Sequence, residues 1–165
     1  MNILQEAINN QFQKLYEQED RLKEFRSNNR VDDDLVWSEP RKLFKKKHGK
    51  KNFEPLGVPT STIGVYRIIY EPTMETLSIG CGLVGHRLGV HRRIFLNKGK
   101  DISYSVSGTT TGSATGGHMY KHDTYRKNWL FSWCSIGNKS LAEEYEDLLI
   151  KTEKPLFNNE SMGGK

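Results

Sequence analysis

Ile63-Gly64-Val65-Tyr66-Arg67-Ile68-Ile69-Tyr70 is the stretch that most limits what this chain can fold into. Its β-branched and aromatic side chains suit a pleated, half-buried surface, so it reads as a strand. Glu71-Pro72-Thr73-Met74-Glu75-Thr76 carries a turn signal, and Leu77-Ser78-Ile79-Gly80 reads as a short second strand, so the two form a hairpin. Gly82 and Gly85 break the chain, and a helix is expected over residues 84–95. Trp129-Leu130-Phe131-Ser132-Trp133-Cys134-Ser135-Ile136 alternates large apolar and small residues and reads as a third strand. Beyond the turn at Gly137-Asn138-Lys139, Ser140-Leu141-Ala142-Glu143 has the form of a capping box. A second helix is therefore expected from Ser140 to about residue 152, with Pro155 preventing its continuation. The expected class is α/β of the α+β kind: a small three-stranded, mainly antiparallel sheet flanked by helices.

Two additions surround this frame. Residues 2–26 read as an amphipathic helix, because Leu4, Ile8, Phe12, Leu15, Leu22 and Phe25 recur at helical steps between Gln, Glu and Lys. Such a stripe suits a core-facing helix or a contact between two copies. The run Asp32-Asp33-Asp34 reads as a solvated turn or helix start, since adjacent carboxylates do not face one way. Pro55, Gly57 and Pro59 mark a change of style, so residues 1–58 are expected as an N-terminal helical and basic extension, and residues 59–165 as the main domain. Within the latter, residues 97–128 are polar and rich in Gly, Ser and Thr, the composition of a long loop insertion.

A chain of 165 residues can bury a core without disulfides. Cys81 and Cys134 are isolated, with no CxxC spacing, and read as ordinary reduced thiols. The sequence lacks both an apolar run of membrane-spanning length and a basic-then-apolar leader, so no membrane association and a cytoplasmic location are expected. His118 and His122 are four apart but lack the neighbours of a zinc site. The net charge is +5 and the sequence pI is about 9.1, a weak pointer to a polyanionic partner. The distribution is more informative. Arg41-Lys42-Leu43-Phe44-Lys45-Lys46-Lys47-His48-Gly49-Lys50-Lys51 concentrates the charge, and Lys45, Lys46, Lys47, Lys50 and Lys51 suit either phosphate contact or a solvated linker.

Arg87 and His91 stand at i and i+4, so both leave one helix face. Glu146 lies inside the later helix among Leu141, Tyr145, Leu148 and Leu149, and Tyr66 sits in an otherwise apolar strand. Each alone reads as structure. Together they hold a phenol, a guanidinium, an imidazole and a carboxylate, which can activate water, grip a phosphate and hold one divalent cation.

Gly64-Val65-Tyr66 followed by Ser78-Ile79-Gly80 resembles the paired motif that names the GIY-YIG nucleases. Arg87, His91, the segment Glu146-Asp147-Leu148-Leu149-Ile150-Lys151 and the tail Lys154-Pro155-Leu156-Phe157-Asn158 follow in that family's order. The resemblance spans roughly residues 63–158 and implies that family's fold. It also implies a DNA endonuclease using one Mg²⁺, with Mn²⁺ able to substitute. Glu146 would be the sole protein ligand of the metal, Arg87 the phosphate clamp, Tyr66 the water-activating group, His91 its proton partner and Asn158 an orienting residue. One position departs: Ser78 stands where the family has a tyrosine. Tyr70, four residues past Tyr66 on the same strand face, is the first candidate stand-in, and Tyr120 or Tyr125 are others; loss of activity is the further alternative. A compact chain with embedded recognition resembles a type II restriction enzyme, which implies double-stranded DNA and a homodimer as partners. Arg92 and Arg93, and Tyr120, Lys121, Arg126 and Lys127 of the insertion, are then expected DNA contacts. The rival expectations are a phage or mobile-element endonuclease of loose specificity and a non-catalytic DNA-binding module.

Overall fold

The computed structural model describes residues 3–29, 35–100, 105–106, 109–110 and 115–158. The chain divides into two compact units, Met1–Leu35 and Val36–Lys165. The first carries helix α1 (Ile3–Asn29), on which Phe12 of the expected apolar stripe is exposed. The side chains of Leu4, Ile8, Leu15, Leu22 and Phe25, and all of Asp32-Asp33-Asp34, lie outside the described residues.

In the second unit the order is β1 (Arg41–Lys42), β2 (Ile63–Tyr70), β3 (Glu75–Leu83), α2 (Val84–Leu96), the short pair β4 (Ser105–Val106) and β5 (Thr109–Thr110), α3 (Thr115–His122), a 3-10 turn (Arg126–Asn128), β6 (Trp129–Ser135) and α4 (Lys139–Glu153). The main sheet has the order β1-β6-β2-β3, and every neighbouring pair is antiparallel. β2 is central. It is flanked by β6 and β3 and covered on both faces, which is why its sequence is apolar nearly throughout rather than alternating. Consecutive β2 residues address opposite layers: Tyr66 reaches His91 of α2, while Arg67 pairs with Glu153 of α4. The core between the sheet and α2 gathers Tyr66, Ile68, Leu88, Phe95, Met119, Trp129 and Phe131. On α4, Ala142, Tyr145 and Leu149 are buried.

The strands and helices read from pattern are present, with four corrections. The sheet has four strands, not three. The extra one, β1, sits at the head of the basic strip, where Arg41 and Lys42 pair with Phe131 and Leu130 of β6. A two-residue strand written in cations has no apolar signature, and only pairing with β6 creates it. Leu43 and Phe44 follow it directly into the core, so the strip is not a solvated linker along its whole length. The boundary expected after residue 58 falls instead between Leu35 and Val36. Ser38 explains part of this, because its Oγ accepts the Trp133 amide at 3.0 Å and its carbonyl accepts the Ser132 hydroxyl at 2.6 Å.

The expected insertion 97–128 contains α3, whose Met119 is fully buried. Gly116 lets α3 dock closely on α2, since a Cβ there would lie 2.6 Å from Ile94 Cβ and 2.7 Å from the His91 carbonyl oxygen. Finally, Asn138 rather than Ser140 caps α4: its Oδ1 accepts the Leu141 amide at 3.1 Å, and α4 already includes Ser140.

Candidate active site

The site forms where β3 hands over to α2. Gly80 offers no side chain, and the Tyr66 ring occupies that space: a Cβ on Gly80 would lie 2.3 Å from the phenol oxygen. Tyr66 is buried, and its hydroxyl stands 2.7 Å from Nε2 of His91, also buried. The Arg87 guanidinium, one helical turn before His91, lies close enough to the phenol to oppose the rise in its pKa. The phenol and the imidazole share one hydrogen bond, and the tautomer of His91 sets which of them donates. A neutral imidazole accepting at Nε2 carries its proton on Nδ1, and Nδ1 has no partner among the described residues.

Electrostatics agree with a neutral pair. Burial raises the Tyr66 pKa above its ordinary value, outweighing Arg87, which lowers it. Burial, helped by Arg87, depresses His91 to about 3. At neutral pH the phenol is therefore protonated and the imidazole uncharged. Glu146, on the inner part of α4, lies close enough to act on Tyr66 and to be acted on by Arg87. Burial raises its carboxyl pKa, Asp147 and Glu143 add to the rise, and the Cys81 hydrogen bond and Arg87 oppose it.

Thus the structure brings Tyr66, Arg87, His91 and Glu146 together. It adds a group that pattern did not single out. Cys81 Sγ donates to Glu146 Oε2 at 2.8 Å, and burial, reinforced by Glu146, pushes this thiol up to about 12, so it serves as a donor rather than a nucleophile at neutral pH. Only its place directly after Gly80 could have drawn notice, because a lone cysteine carries no spacing signal. A cleft of about 570 Å³ opens beside the group, lined by Cys81, Gly82, Leu83, His86, Arg87, Lys139, Glu143 and Ile63. The first residue outside α2, Leu83, provides no side-chain cap, so that helix start lacks a side-chain oxygen of its own.

Other expected site residues fall elsewhere. Tyr70 shares the Tyr66 face but lies four strand residues, about 13 Å, farther along. Its hydroxyl donates to Asp123 at 2.7 Å, and its ring packs on His122 and Trp129. Tyr120 packs edge-on against Phe95, and Tyr125 is exposed with Lys127 over its ring. None of these contacts reaches Glu146, and Ser78 itself is buried in β3. Asn158 is a brace: its side chain exchanges two 2.8 Å hydrogen bonds with the backbone N–H and C=O of Ile79 on edge strand β3. Arg92 turns inward and donates to the Leu43 carbonyl at 2.6 and 2.8 Å and to that of Glu54 at 3.2 Å. Lys45, Lys46, Lys47, Lys50, Lys51, Arg93, Lys121, Arg126 and Lys127 are exposed.

Among the described residues no three His, Cys, Asp or Glu side chains gather into a metal cage. The donor set is one half-buried carboxylate, Glu146, with Glu143 one turn earlier on the same helix. That set fits a hard cation which keeps most of its water, as Mg²⁺ does. No described helix is long and apolar enough to cross a membrane. No family model, no curated protein and no solved structure matches the chain.

Proposed function

We propose that this chain is a GIY-YIG-type DNA endonuclease that hydrolyses phosphodiester bonds at the Tyr66–Arg87–His91–Glu146 site, in the manner of a site-specific type II restriction enzyme acting as a dimer. The observation that carries the reading is the convergence of those four side chains beside a cleft, with one phenol–imidazole hydrogen bond at its centre. The order of motifs along the sequence supports it independently.

Glu146 would hold the divalent cation, which when bound supplies charge neutralisation at the phosphate and the departing oxygen. The remaining work falls to this chain's own groups. Arg87 and the uncapped start of α2 favour an anion in the cleft. A phosphate there offsets the Arg87 charge. Because that charge helps hold His91 down, offsetting it raises His91 and makes Nε2 a better proton acceptor. As water attacks, its proton passes to the Tyr66 oxygen while the phenol proton moves to His91 Nε2. The phenol need not be ionised beforehand, which its raised pKa forbids at neutral pH. Cys81, which lines the cleft, holds the Glu146 carboxylate through its thiol hydrogen bond.

The test is incubation of wild type and Glu146→Ala with supercoiled plasmid and phage DNA, in Mg²⁺ or EDTA. Discrete metal-dependent fragments that the variant lacks are expected. Nicked circles or a smear would favour a phage or mobile-element enzyme of loose specificity. DNA binding without any metal-dependent product would remove the enzyme reading in favour of a binding module, and Ser78 is the feature that keeps that second reading in view.

A further inference from the structure

A second cavity, of about 580 Å³, lies at the other edge of the sheet and is lined by Arg41, Lys42, Lys45, Glu54 and the chain at residues 55–57. Two of its cations are internally balanced. Lys42 pairs with Glu71 and donates to the Lys127 carbonyl at 2.7 Å, and Lys45 pairs with Glu54 at 3.2 Å. Arg41 is different: it has no carboxylate partner among the described residues. Its guanidinium lies against Gly57, where a Cβ would stand 2.8 Å from Nη1, and the Gly57 φ of +73° is itself a glycine conformation. The backbone is thus shaped to leave room for this one cation.

The chain leaving the cavity folds into a finger. The Glu54 amide donates to the Lys45 carbonyl at 2.7 Å, that of Lys47 to Asn52 at 3.0 Å, and Lys46 bridges to Phe53, with Gly49 turning at φ +70°. Lys45, Lys46, Lys47, Lys50 and Lys51 all project from it exposed. Arg126 lies over the Phe53 ring at 5.8 Å, so the basic tip of the expected insertion joins the base of the finger.

We propose that this cavity and finger form a phosphodiester-binding subsite for duplex DNA, separate from the cleavage site, with Arg41 as the guanidinium that grips a backbone phosphate. A ligand carrying closely spaced phosphates engages Arg41 and the finger lysines together and releases counterions in doing so. β1 and β3 are opposite edges, three strand spacings or about 14 Å apart, so the subsite holds the duplex away from the bond that is cut. The inference rests on DNA being the ligand under the proposed function, but not on cleavage.

The test is fluorescence anisotropy of a short labelled DNA duplex with full-length Glu146→Ala protein in EDTA, titrated from about 50 to about 200 mM salt, the range in which phosphate contacts are read. In that background Arg41→Ala should weaken binding about ten-fold and lower the log–log salt slope by about one. Arg41→Lys should keep the slope and lose part of the affinity, because an ammonium replaces a planar fork. Gly57→Ala should behave like Arg41→Ala by pushing the guanidinium aside, and the Lys47→Ala/Lys50→Ala pair should lower the slope with no change inside the cavity. Melting curves identify any variant that has unfolded, and the exposed lysine pair keeps the test valid if one has. Wild-type affinity and slope in Arg41→Ala and in the lysine pair would overturn the subsite. Displacement of the duplex by inorganic phosphate at constant ionic strength would also overturn it, in favour of a free-anion pocket. Duplex binding by this protein together with no cleavage by wild type in Mg²⁺ leaves the subsite standing and removes the nuclease, whereas metal-dependent wild-type cleavage with duplex affinity and salt slope untouched by Arg41→Ala does the reverse.

Discussion

A single methyl group at Gly80 collides with the Tyr66 phenol, 2.3 Å from its oxygen and 2.4 Å from Cζ. Gly80→Ala therefore moves the ring off His91. Overpacking of this kind costs about 1–3 kcal/mol of stability, and cleavage should fall far more than the folded fraction; melting and plasmid assays on one preparation separate the two effects. His91 gives a pH prediction with a definite sign. Its folded value, about 3, lies below the ordinary 6.5. Between those values the unfolded chain binds a proton that the folded chain refuses. The contribution to stability is thus fully present above about 6.5 and is lost as pH falls toward 3. Urea midpoints of wild type should fall across pH 7 to 4 more steeply than those of His91→Gln. Equal slopes would show that His91 is not buried neutral.

Helix α4 carries Glu146, and its start depends on a cap two residues earlier than pattern suggests. Asn138→Ala should cost about 1 kcal/mol, whereas Ser140→Ala should be near neutral; chemical denaturation of both variants discriminates. The reversed order would restore the capping box at Ser140. The edge strand β3 offers a parallel case, since Asn158→Ala removes two hydrogen bonds to Ile79 and should cost about 2 kcal/mol by the usual worth of such bonds. These elements also show what local chemistry records. β2, α2 and β6 were legible because β-branched runs, glycine breaks and alternation are written in the residues themselves. β1 was not, because only its pairing with β6 makes two cations a strand. Thr115-Gly116-Gly117-His118 looks like loop and becomes helix through the docking of Met119 and Gly116 on α2. Tyr66, Arg87, His91 and Glu146 could be named as a set from their order, but the Cys81 thiol could not: it matters through Glu146, which lies 65 residues away in the chain. Tyr70 shares the face of Tyr66 but lies about 13 Å along the strand from it, a separation that facing alone does not reveal.

The whole chain comprises two compact units divided after Leu35. Residues 36–165 should unfold in one cooperative transition when produced alone. If α1 supplies the dimer contact, the full chain should sediment as a dimer and residues 36–165 as a monomer; equal mass behaviour in both would take that role from α1. The central claim concerns one site built from four side chains, and it is tested by measuring single-turnover cleavage of one duplex by wild type, Tyr66→Phe, Arg87→Ala, His91→Gln and Glu146→Ala, alongside their melting temperatures. Each variant should stay folded and lose at least about a hundred-fold in rate, the scale of a positioned proton-transfer or charge-stabilising group. Wild-type cleavage by a folded Glu146→Ala, with Mg²⁺ still required, would place the chemistry elsewhere on the molecule and contradict the site.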